Sequence, residues 1–68
     1  MFKLEIRSKV WNAAYEALRI LKNSCKATLQ APLRKDGDGE GYTVTVGIGF
    51  DHPIPLDRLP KGVTLHQR

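Results

Sequence analysis

Asp36, Asp38 and Glu40 stand two residues apart with Gly41 directly after them. That spacing matches the opening of an EF-hand calcium loop, where alternate carboxylates point at one ion. Calcium takes about six to eight oxygen ligands, and the bidentate Glu that should complete the sphere falls on Gly47. The flanking segments alternate in hydropathy like strands, where an EF-hand needs helices. Asp-Gly repeats also supply the positive φ angles and side-chain turn bonds of a reversing loop. The stretch therefore reads as the tip of a β-hairpin, and no metal or other cofactor is expected.

The remaining chemistry-bearing side chains are Cys25, His52 and His66. None lies in a signature for nucleophilic catalysis, and one Cys with two His at these spacings fits no zinc pattern. Asp51 and His52 are neighbours, and on a continuing strand they would point to opposite faces. The glycines of GDGEG and GIG neither open a helix nor carry a Gly-Lys-Ser/Thr ending, so they are no phosphate loop. The expectation is a non-enzyme with a buried core thiol.

The elements that position these groups follow from periodicity. Phe2, Leu4 and Ile6 alternate with Lys3, Glu5 and Arg7, giving a first strand with one apolar face. Ser8 offers an N-cap for a helix over residues 9–23, whose Val10, Ala14, Ala17, Leu18 and Leu21 share one face. Trp11 and Tyr15 widen the apolar arc on one flank, Ala13 and Ile20 on the other. The C-terminal segment or a second protein chain is expected to cover those flanks. Cys25, Ala27, Leu29 and Ala31 alternate with Lys26, Thr28 and Gln30, giving a second strand that Pro32 should end. Tyr42, Val44, Val46, Ile48 and Phe50 form a third strand, with Thr43, Thr45, Gly47 and Gly49 on its other face. In the proline-rich tail, Pro55–Pro60 can form one helical turn with Leu56 and Leu59 against the core. Residues 63–66 can form a short fourth strand.

The order β-α-β-β-(β) predicts an α+β fold: a two-layer sandwich with one helix on a mostly antiparallel sheet of three to four strands. Residues 1–68 are read as a single domain. A domain this small buries roughly 60% of its unfolded surface, leaving little stability for a deep cleft. The 41% hydrophobic content argues against disorder. No apolar run approaches the roughly 18 residues of a membrane span, and MFKLEIRSK is no signal peptide. With a lone cysteine, a cytoplasmic protein is expected.

Charge is segregated. Residues 1–35 hold eight Lys/Arg against Glu5 and Glu16, whereas residues 36–51 hold four acids and no Lys or Arg. A basic body with an acidic lobe steers encounters with charged partners. The uncovered sheet face should display Lys3, Glu5, Arg7, Lys26, Thr28, Gln30, Thr43 and Thr45. The candidate contact set is Lys3, Arg7, Lys26, Gln30, Arg34 and Lys35 for acidic or phosphate groups, with Asp36, Asp38 and Glu40 for a basic groove.

Size, β-α-β-β order and polarised charge together resemble the small inhibitors made by phages and mobile elements. Anti-CRISPR proteins, including those directed at type I surveillance complexes, are examples. The resemblance rests on architecture and charge and carries over no residue by position. It implies a protein that occupies a surface of a host protein or ribonucleoprotein complex where nucleic acid normally sits. Two other readings stand beside it: direct nucleic-acid binding through the basic residues, and a homodimer through Trp11, Tyr15 and Ile20.

Overall fold

The computed structural model describes residues 2–35 and 41–67. Strand β1 (Phe2–Ser8) leads into helix α1 (Trp11–Cys25), followed by β2 (Thr28–Lys35), β3 (Tyr42–Ile48), a 3₁₀ turn at Leu56–Arg58 and β4 (Thr64–Gln67). The four strands form one sheet in the order β2-β3-β1-β4, every neighbouring pair antiparallel. This is the expected α+β sandwich, with the fourth strand present.

β1 and β3 pair along their whole length, from Phe2 opposite Ile48 to Ser8 opposite Tyr42. Directly opposed residues share a face, so Leu4 and Ile6 meet Val46 and Val44 on the helix side. Helix residues Ala14, Ala17, Leu18, Leu21 and Cys25 close onto that side. Three of these five are small, which lets the helix backbone come close to the sheet. Ile6, Leu21, Val44, Val46 and Ile48 are wholly buried, and each contributes about 1.5–3 kcal/mol through burial. Ile54, Leu59, Val63 and Leu65 from the tail pack at the margin of this core.

The helix begins later than expected, because Ser8 is held in the sheet opposite Tyr42. Its hydroxyl accepts the Val10 N–H (3.1 Å) in a local turn, in place of capping a helix that starts at residue 9. The N-cap is Val10, extended at φ −115°. At the other end the helix runs on through Cys25, and Lys26 turns left-handed at φ 52°. The Ala27 N–H then reaches back to the Leu21 carbonyl (3.3 Å), closing the end in a Schellman-type arrangement. Cys25 and Lys26 therefore belong to the helix end, not to a strand.

Pro32 does not terminate β2. The strand is at the edge of the sheet, and its register slips between Leu29 and Ala31 and again between Ala31 and Arg34. Bulges on an edge accommodate a residue without an N–H. β3 ends at Ile48, and the chain then turns, with the His52 N–H donating to the Gly49 carbonyl (3.3 Å). Phe50 is consequently exposed, its ring 5.4 Å from that of Phe2. Leu56, expected against the core, is 68% exposed, while Leu59 does pack there.

Lys26 carries a side chain in a conformation that costs an L-residue about 1–2 kcal/mol. Lys26→Gly should therefore raise stability by about 0.5–1 kcal/mol in urea denaturation. Unchanged or lowered stability would show that the left-handed cap is not under strain.

Candidate functional site

The helix occupies one side of the sheet, and the other side is a polar grid set by strand register. One row runs Thr64, Arg7, Thr43, Arg34; the next runs His66, Glu5, Thr45, Ala31; the third runs Lys3, Gly47, Thr28. Arg7 and Arg34 thus flank Thr43 from the two strands on either side of it. Their backbones are roughly 10 Å apart, two strand spacings. Among the described residues, three cations share this face with one carboxylate, so the face is basic but mixed in sign.

Glu5 sits low in the grid, its side chain only 13% exposed, and accepts a hydrogen bond from the Arg7 guanidinium (2.9 Å). An ion pair this open on the arginine side contributes about 0–1 kcal/mol, so its main effect is to orient Arg7. Thr43 and Thr45, expected to face water, lie on this face yet are buried at 4% and 2% exposure. Stems of long charged side chains on neighbouring strands are a general means of covering a central strand while the charged heads stay in water. The Thr45 hydroxyl has no hydrogen-bond partner among the described residues. Leaving such a group unpaired costs about 1–3 kcal/mol.

The structure gathers only part of the sequence-derived contact set. Lys3, Arg7 and Arg34 share the open face. Gln30 is exposed on β2, its amide donating to the Thr28 hydroxyl (3.2 Å). Lys26 is removed to the helix end, because the left-handed cap takes it out of the strand. Lys35 pairs with Tyr42 and so alternates to the helix side of the pleat. Asp36, Asp38 and Glu40, the candidate calcium-loop and groove-facing carboxylates, lie outside the described residues. Thr64 and His66 were missing from the expected face, although the alternation of Val63 and Leu65 with them carries the signal. The His66 ring and the Thr64 hydroxyl are 3.2 Å apart.

Trp11, Tyr15 and Ile20 do not form one patch. Ile20 lies about 180° around the helix from Trp11 and is half-buried, whereas Trp11 and Tyr15 are 46% and 47% exposed. Asp51 and His52 fall in the turn after β3 rather than on a strand, and their side chains approach to 3.8 Å. Among the described residues, no three His, Cys, Asp or Glu side chains converge where an ion could sit. No helix among them is long and apolar enough to cross a membrane.

Cys25 is fully buried and its thiol donates to the Pro53 carbonyl (3.1 Å), tying the tail to the helix end. Burial disfavours the thiolate and pushes the thiol pKa above its ordinary 9.0. Below pH 9.0 the thiol is protonated in both folded and unfolded chains, and its full contribution is present. As pH rises from 9.0 through the higher folded value, the unfolded chain loses the proton first and stability falls. Urea midpoints should therefore decline above pH 9 more steeply for the wild type than for Cys25→Ala; parallel declines would remove the thiol as the cause.

Compared with protein-family models, with curated proteins and with solved structures, the chain finds no match.

Proposed function

We propose that this chain is a non-catalytic binding protein that acts by docking its open sheet face on a macromolecular partner. The observation that carries this is the grid in which Arg7 and Arg34 flank Thr43, with Lys3 two rows away. Cations carried on paired strands have their backbone spacing set before contact, which lowers the ordering cost of binding. The near-buried Glu5 in the middle row favours a protein surface of mixed charge over a bare phosphate backbone, which a central carboxylate repels.

In this reading the protein is a cytoplasmic inhibitor of the anti-CRISPR kind. It occupies a surface of a host complex that otherwise holds nucleic acid. The acidic segment at residues 36–40 would meet the basic groove of that surface, while the sheet cations meet acidic groups at its rim. Opposite charges of this kind raise the association rate and fix the register of docking. Direct binding of nucleic acid through the same face is the weaker reading, for the reason Glu5 gives.

The immobilised protein should capture a stoichiometric complex from lysates of bacteria that carry type I surveillance complexes. The double variant Arg7→Glu/Arg34→Glu should lower its retention at least about tenfold, as loss of two close charge pairs does. Absence of any stoichiometric partner, or a complex indifferent to both reversals, would exclude docking through this face.

A further inference from the structure

The second surface of interest is on the helix, away from the sheet. Trp11 and Tyr15 are one turn apart, and their rings stack almost parallel, 7° between planes and 5.1 Å between centroids. Nearly half of each residue remains in water. On a helix of about 100° per residue, Lys22, Tyr15 and Arg19 fall within about 80° of Trp11, on the solvent side of the buried stripe. Asn12 and Asn23 border the same arc. Arg19 is 64% exposed and engages Glu16 only at 3.5 Å, and Lys22 is exposed.

We propose that this stripe binds single-stranded nucleic acid, with bases stacking on the Trp11–Tyr15 pair and phosphates meeting Arg19 and Lys22. Parallel rings leave an outer π-face on which a third planar ring continues the stack, and every base supplies one. From Trp11 to Lys22 the helix advances roughly 16 Å, room for about four nucleotides at the small end of known single-strand sites. The composition argues against other occupants. A helix that inserts in a membrane surface needs a free aliphatic face, and the aliphatic face here is consumed by the sheet. A protein hot spot places its aromatic anchors in a desolvated apolar surround, whereas this arc borders them with Arg19, Lys22, two amides and the Glu16 carboxylate that pairs with Arg19. The proposal shares no residue with the sheet-face reading and does not depend on it.

Trp11 is the only tryptophan, so its emission reports the site directly. Titration with a short oligothymidylate at low salt should quench Trp11 fluorescence, with affinity falling steeply as salt is added. Anisotropy of a labelled oligothymidylate should show at least about tenfold weaker binding for Trp11→Leu and for Tyr15→Leu. Arg19→Gln/Lys22→Gln should weaken binding and flatten the salt dependence. Arg58→Gln, exposed in the 3₁₀ turn, should leave binding within about twofold at fixed salt. Circular dichroism of each variant should remain that of the wild type, since all these residues are exposed. No binding at low salt, binding without quenching, or affinity lost through Arg58→Gln but retained in the aromatic variants would each overturn the proposal. So would a Trp11 response to anionic phosphatidylglycerol vesicles with none to the oligonucleotide.

Discussion

A single fifteen-residue helix can cover only one side of a four-stranded sheet. The rest of the structure follows from that limit. Each central strand must place its apolar residues on one face and something water-compatible on the other. In β1 this separates Leu4 and Ile6 from Lys3, Glu5 and Arg7; in β3 it separates Val44, Val46 and Ile48 from Thr43, Thr45 and Gly47. The Cα trace is 15 Å deep along its shortest axis, which holds one helix layer on one sheet and no third layer. The polar face is thus a consequence of size before it is a device for binding. What turns it into a candidate interface is how the register lines up its charges.

Much of this was legible in the sequence because period-two alternation is unambiguous where one face is buried. β1, β3 and the helix stripe of Ala14, Ala17, Leu18 and Leu21 could all be read that way. Where the structure departs from the local signals, the cause is shared: pairing between distant segments overrules them. Ser8 has the right chemistry for a helix cap, but the ladder with Tyr42 holds it in β1. Pro32 would break a central strand, but the edge position and two bulges accommodate it. Lys26 fitted an alternating strand, and no propensity argument would have put a lysine in the left-handed helix cap. Its displacement took with it one of the basic residues assigned to the open face.

The two layers present different chemistry to solvent. The sheet side offers cations at set strand positions around a near-buried carboxylate. The helix side offers a stacked aromatic pair beside mobile cations, suited to flat rings on a charged strand. The buried thiol serves neither surface: Cys25 is engaged with Pro53, and its raised pKa makes it a core donor rather than a nucleophile.

The most direct test of the account is whether the sheet face opposite the helix is open in the free protein. In a Cys25→Ser background, single cysteines would be placed at Arg7, on that face, and at Ala17, beneath the helix, and their maleimide labelling rates compared under dilute native conditions. Arg7→Cys should react nearly as fast as a thiol in the unfolded chain, while Ala17→Cys should be strongly protected. Protection of Arg7→Cys comparable to that of Ala17→Cys would contradict it, since the face would then already be covered.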